Sequence, residues 1–203
     1  MSRTAESYNK QAKMYEEKWE NYLSHTHHKM LVNFSSDSEH RILDVSAGTG
    51  LLAQHLLEED NAFSELVLND ISEEMLSMAK SRFSENETVS FTEFPVERLG
   101  FEEHSFDTVI SMSAFHNYTD QEAALSEIYR VLKPGGSFYI LDWNKKGVFR
   151  FINMFINVVT GEVIRTSSAD DVKKMLKTSS FKVYRSEKWK YNYWNFFLIK
   201  AKK

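Results

Sequence analysis

Ile42-Leu43-Asp44-Val45-Ser46-Ala47-Gly48-Thr49-Gly50-Leu51-Leu52 is the stretch whose reading decides the fold. Its first four residues form a short apolar run of the kind that a parallel sheet buries. After Gly50 the apolar positions switch to helical spacing, with Leu51, Leu52, His55 and Leu56 on one face. A strand therefore passes into a helix through small residues. Such residues let a ligand approach the backbone, and the helix N-terminus offers N–H groups without intrahelical partners.

The same alternation continues outward to about residue 142. Leu66 to Asp70 reads as a second strand, and Ser72 as the N-cap of a helix that opens with Glu73 and Glu74 and buries Met75, Met78, Ala79 and Phe83. Strands over Val89–Phe94 and Phe106–Ser111 follow. Thr119 and Glu122 suggest a capping box for a helix running to Leu132, which Lys133-Pro134-Gly135-Gly136 stops. Ser137–Asp142 is a fifth strand. Residues 5–33 form a helical, aromatic-rich arm with Tyr8, Tyr15, Trp19 and Tyr22. Val148–Val159 reads as an apolar helix and Asp170–Lys177 as a short one capped by Ser168. Phe181–Tyr184 and Asn195–Ala201 read as two final strands joined by a polar, aromatic stretch, and so short a connection allows only an antiparallel pair. The expected fold is α/β, a Rossmann-like doubly wound, mostly parallel seven-stranded sheet. It has an antiparallel C-terminal pair, helices on both faces and a helical N-terminal lid. One domain over 1–203 is expected, with 1–40 as the arm, 41–144 as the cofactor-binding core and 145–203 as substrate-wall helices and last strands.

Composition narrows the chemistry. The 203 residues contain no cysteine, which excludes disulfides, zinc–thiolate sites and thiol catalysis. The net charge of −4 argues against a nucleic-acid partner. The longest apolar run, near Phe155–Val159, falls far short of the roughly 20 residues needed to span a bilayer, and the first residues lack the apolar core of a secretory signal. A cytoplasmic location is expected.

Gly48, Gly50 and Ala53 satisfy G-x-G-x-x-G/A, and Asp70 stands twenty residues beyond Gly50, where an acid accepts hydrogen bonds from ribose hydroxyls. Loop and acid fit NAD and S-adenosylmethionine equally. Three features separate the two. Asp44, at the end of the first strand, would repel a pyrophosphate but suits an ammonium and a sulfonium. The sheet ends in an antiparallel pair rather than a second βαβ half. No later segment resembles a nicotinamide-binding half.

The chain resembles the class I S-adenosylmethionine-dependent methyltransferases, in the broad group of the ubiquinone/menaquinone-type enzymes. Four stretches carry the resemblance, in order: Ile42–Gly50, Asn69–Leu76, Ser105–Ser111 and Glu127–Gly136. It covers residues 8–142 well and the C-terminal third more loosely. The resemblance implies that Asp44, Ser46, Ala47, Gly48 and Gly50 hold the methionine part of the cofactor, that Asp70 holds the ribose and that Ile71 packs on adenine. Ser46 stands where the family usually has a glycine. Pro95 stands where an acid usually binds the adenine amino group, which leaves Val96, Glu97 or backbone groups for that task. Ser111 joins the cofactor residues, and Tyr15 or Trp19 of the arm would cover the cofactor as a lid.

For the acceptor, His116 is the candidate base or substrate contact, near Ser113 and Asn117. Asp142, beside Trp143 and Asn144, is a second polar candidate at the strand ends. Phe149, Phe151, Met154 and Phe155 would wall an apolar substrate pocket, with Arg165 meeting an anionic group. His25, His27 and His28 read as solvated or substrate-adjacent rather than metal-binding, and no metal is expected. The expected activity is methyl transfer to a small, partly apolar molecule, with no nucleic-acid partner expected and the oligomeric state open between monomer and homodimer. Two alternatives stand beside it: a non-catalytic S-adenosylmethionine or S-adenosylhomocysteine binder, and an NAD(P)-dependent oxidoreductase.

Overall fold

The computed structural model describes residues 3–59, 62–146 and 164–203, and it divides into two compact units, Met1–Pro95 and Val96–Lys203. The first unit contains, in order, α1 (Arg3–Leu31), β1 (Arg41–Asp44), α2 (Leu51–Glu58), β2 (Glu65–Asn69), α3 (Glu73–Arg82) and β3 (Val89–Thr92). β1 pairs with β2 and β2 with β3, both parallel. Ser72 caps α3 as expected, its hydroxyl accepting from the Met75 N–H. Leu76 is buried on α3 beside Met75, Ala79 and Phe83, whereas Met78 is only half-buried. At 100° per residue, positions 75, 76, 79 and 83 span one arc and 78 lies outside it.

The second unit contains β4 (Phe106–Met112), α4 (Gln121–Val131), β5 (Leu132–Trp143), α5 (Ala169–Thr178), β6 (Lys182–Tyr191) and β7 (Trp194–Lys202). β4 and β5 are parallel, and β7 pairs antiparallel with both β5 and β6. The strand order is β3-β2-β1-β4-β5-β7-β6, the mostly parallel seven-stranded sheet that the strand–helix alternation predicts.

Three local expectations are corrected. The N-cap of α4 is Asp120, not Thr119: the Asp120 carboxylate accepts from the N–H groups of Glu122 and Ala123. A carboxylate outcompetes a hydroxyl at the positive end of a helix. Second, β5 begins at Leu132, which pairs with Phe106 before the register jumps to Thr108↔Ser137. Lys133-Pro134-Gly135-Gly136 is thus looped out opposite Asp107. Gly135 has φ +79°, and a Cβ on Gly136 would lie 2.8 Å from the Lys133 carbonyl oxygen, so the bulge requires both glycines. Third, the polar, aromatic stretch before β7 is itself strand. β6 runs to Tyr191 and turns through Asn192, whose φ of +53° an asparagine tolerates.

Among the described residues, no helix is long and apolar enough to cross a membrane.

Candidate cofactor loop and histidine–aspartate pair

In the first unit, the N–H groups of Ser46, Ala47, Gly48 and Gly50 in the small-residue loop are all held. The Ser46 N–H donates to Asp44 Oδ1 (3.2 Å), the Ala47 N–H to the Asn69 carbonyl (3.0 Å) and the Gly50 N–H to the Ala47 carbonyl (3.0 Å). The Gly48 N–H donates to Asp70 Oδ2 (2.8 Å), while Asp70 Oδ1 accepts the Ser72 N–H (2.8 Å). Asp70 therefore shapes the loop it is expected to complement, and its lone pairs leave room for further donors. Asn69, which the sequence reading did not single out, makes four hydrogen bonds. Its amide donates to the carbonyls of Val45 and Phe94, and its oxygen accepts from the Thr92 hydroxyl and the Phe94 N–H. One buried side chain thus fixes the ends of β1, β2 and β3 together. Its only sequence signal is a polar residue closing an apolar strand.

The electrostatics of this loop favour a cation. Asp44 is 3% exposed. Burial pushes its carboxyl up to about 7; the neighbouring Asp70 adds to that rise, and the Ser46 N–H only partly opposes it. Asp70 is raised as well, again mainly by burial, against the pull of its N–H donors. Tyr15 of α1 is pushed up to about 12 by burial and by the Asp70 carboxylate. Two carboxyls held above their ordinary range lack nearby positive charge. A Cβ built on Gly48, at φ +56°, would meet nothing within 4 Å, so the loop has open space where a ligand could lie against the backbone. Ile71 beside it is 39% exposed, an apolar surface at the expected adenine position.

The arm α1 is fastened to the same unit at three points. Asn9 Oδ1 accepts from the Ser72 hydroxyl (2.6 Å), Glu16 pairs with Arg82 (2.7 Å), and His27 Nδ1 lies 3.1 Å from His55 Nδ1. His27 is therefore not a solvated residue, as expected from sequence, but a buried one. Burial, His55 and the Arg82 charge lower its pKa to about 3, so it stays neutral at ordinary pH.

In the second unit, His116 sits in a short 3-10 turn, Phe115–Asn117, after β4. Its Nδ1 is 2.7 Å from Asp142 Oδ1, and its own N–H donates to Asp142 Oδ2 (2.9 Å). The Trp143 N–H donates to Asp142 Oδ1 (2.6 Å). An ionised carboxylate can only accept, so the proton of the His116–Asp142 hydrogen bond sits on Nδ1. The imidazole is stacked on Trp143 at 4.0 Å and 13°, and Trp143 in turn on Trp194 at 4.8 Å. The His116 side chain is almost wholly buried, at 4% exposure.

The other expected site residues fall as follows. Ser111 is fully buried, its hydroxyl 2.8 Å from that of Tyr118. Val96 is buried and Glu97 half-buried, with Glu97 Oε1 accepting the Thr119 and Asp120 N–H groups. Arg165 is exposed; its guanidinium donates to the Thr119 carbonyl, and its N–H donates to the His116 carbonyl (2.7 Å). Asn144 accepts the Ala169 N–H at the start of α5. Phe149, Phe151, Met154 and Phe155, the expected pocket wall, lie outside the described residues. Among the described residues, no group of three or more His, Asp or Glu side chains could hold a metal ion.

Comparison with known proteins agrees with this geometry. Residues 43–140 match the family model of a methyltransferase domain. The ubiquinone/menaquinone biosynthesis C-methyltransferase UbiE of Xanthomonas oryzae is 38% identical over 108 residues, covering 52% of this chain and 43% of the relative. The UbiE of Wigglesworthia glossinidia brevipalpis is 31% identical over 127 residues, covering 61% and 50% respectively. The chain thus spans about half the length of the curated relatives it matches. Among solved structures, YcgJ of Bacillus subtilis superposes with a TM-score of 0.76 at 21% identity, covering 89% of this chain and 98% of that one. The methyltransferase solved in complex with the Haloferax volcanii Trm112 methyltransferase activator superposes with a TM-score of 0.81 at 18% identity, covering 96% of each.

Proposed function

We propose that this chain, which carries a class I methyltransferase domain, takes a methyl group from S-adenosylmethionine and transfers it to a small acceptor, with His116 receiving the acceptor's proton. The observation that carries the reading is Asp44, a buried carboxyl raised to about 7 beside a loop with open space at Gly48. A dinucleotide would bring phosphate to this spot and meet two acids. A ligand with an ammonium and a sulfonium would relieve them.

When bound, the cofactor supplies a methyl group on a positively charged sulfur, open to in-line displacement. The chain's own residues do the rest. Asp44 and Asp70 complement the positive groups and the ribose hydroxyls, the fixed loop backbone sets the orientation, and Tyr15 closes the arm side. Fixing reactants in this way lowers a barrier by about 7–11 kcal/mol in favourable cases. His116 Nε2 takes up a proton from an O–H or N–H acceptor, and Asp142 holds the ring by Nδ1 and favours the imidazolium that forms. A histidine whose ring is held through Nδ1 by a buried carboxylate supports catalysis over binding alone. Arg165 belongs to the packing around His116 in this reading, and Phe151 and Phe155 to the apolar wall of the acceptor site.

The test is thermal unfolding with S-adenosylhomocysteine and, separately, with NAD(H). Ligand at a hundred times its Kd stabilises by about 2.7 kcal/mol, a shift of several degrees. The expected result is a shift with S-adenosylhomocysteine that disappears in Asp70→Ala. A shift with NAD(H) alone would refute the proposal.

A further inference from the structure

The carbonyl of Thr49 is held by a residue from another element. Arg82, the last residue of α3, donates from Nη1 to this carbonyl (2.9 Å) and from Nη2 to Glu16 Oε1 of α1 (2.7 Å). Thr49 lies between Gly48 and Gly50, at φ +56° and +76°, so the backbone on both sides of it is conformationally permissive. The N–H of the Thr49–Gly50 peptide is already bound to Ala47, so Arg82 supplies the second point that fixes the plane. Space here is tight as well: a Cβ on Gly50 would lie 2.9 Å from the ring of Phe83, the residue after Arg82.

We infer that Arg82 is a positioning residue that couples docking of the α1 arm to the shape of the cofactor loop. A guanidinium is a rigid planar fork, so the hydrogen bond to Glu16 orients the one to Thr49. An ordinary surface ion pair does neither; here the Arg82 and Glu16 side chains are 20% and 30% exposed, and the shared carbonyl belongs to a residue only 4% exposed. When the arm leaves, Glu16 leaves with it and the fork loses the partner that aims it. Arm docking and ligand binding at the loop are then reciprocally linked: whatever binds the ordered loop tightens the arm, and a docked arm raises affinity. The inference rests on the loop being the cofactor site.

The experiment measures S-adenosylhomocysteine affinity by calorimetry and amide hydrogen exchange of residues 8–31, in wild type, Glu16→Gln, Arg82→Gln and the swap Glu16→Arg/Arg82→Glu. In wild type, ligand slows exchange in the arm. Arg82→Gln is expected to weaken binding by about tenfold, within the usual range of coupling between sites, and to abolish the ligand's effect on arm exchange. Glu16→Gln, a milder change, is expected to weaken both in part. The swap restores an ion pair but leaves the Thr49 carbonyl without its donor, so affinity stays low. Recovery of wild-type affinity in the swap, or unchanged affinity in both single variants, overturns the inference. Failure of the wild type to bind S-adenosylhomocysteine would instead overturn the proposed cofactor.

Discussion

Asp44 is the last residue of β1 and Asp142 the next to last of β5, and both are almost completely buried, at 3% and 1% exposure. Their surroundings differ in kind. Asp142 receives three hydrogen bonds, from the His116 N–H, the His116 ring and the Trp143 N–H. Asp44 receives the Ser46 N–H at 3.2 Å and has a second acid, Asp70, close enough to raise it further. A buried carboxylate surrounded by donors is occupied by the protein and serves to position a neighbour. One that burial has raised, with little to offset it, is left for something the chain does not itself contain. Burial alone does not mark a binding site; the missing partner does.

Asp142→Asn tests the donor-saturated side and carries the largest expected effect. The side chain keeps its shape but turns an acceptor into a donor, so the His116 ring is expected to move its proton from Nδ1 to Nε2. Nitrogen chemical shifts of the ring would report this directly. Methyl transfer should fall on the order of 10²–10⁴-fold, the usual worth of a general base. An unchanged tautomer and an unchanged rate would remove Asp142 from the mechanism.

Asp44→Asn tests the other side through pH. Below about 7 the buried carboxyl holds its proton, and a ligand ammonium favours the ionised form, so binding releases a proton. Affinity for S-adenosylhomocysteine should therefore rise as pH increases from 5.5 to 7 and level off above. In Asp44→Asn that slope should vanish, with weaker binding at pH 8. The free protein follows the opposite sign. Between the unfolded value near 3.8 and about 7, the folded state binds more protons than the unfolded one. Asp44 thus makes stability fall as pH rises, by about 1.4 kcal/mol per unit at most. Asp44→Asn should unfold at a higher temperature than wild type above pH 7. Calorimetry across pH checks both signs.

Asp120→Ala carries the smallest expected effect. Loss of the carboxylate oxygen that accepts two N–H groups at the start of α4 should cost about 1 kcal/mol, whereas Thr119→Val should stay within about 0.5 kcal/mol. Denaturant midpoints of the two variants would separate the observed cap from the one the sequence suggests.

That capping exchange shows how the sequence was legible. A cap is a short-range feature, and Thr119 and Asp120 both satisfy the pattern; only the extended backbone at Asp120, with its carboxylate over two N–H groups, decides between them. The strand–loop–helix over residues 41–58, the acid at Asp70 and the cap at Ser72 could all be read because periodicity and turn chemistry act over a few residues. The full length of β6 was not read, because Lys188-Trp189-Lys190-Tyr191 looks like a polar connection until β7 pairs with it.

By itself, then, the sequence determined the order of elements, the small-residue loop and the acid expected to face it, all consequences of local backbone preference. Tertiary structure alone decided that Asp142 serves His116, that Arg82 reaches both Glu16 and Thr49, that Asn69 joins three strand ends and that His27 is buried against His55. These pairs lie 23 to 66 residues apart. No local rule relates such positions, and they meet only because the packed sheet and helices bring distant stretches of backbone to the same place.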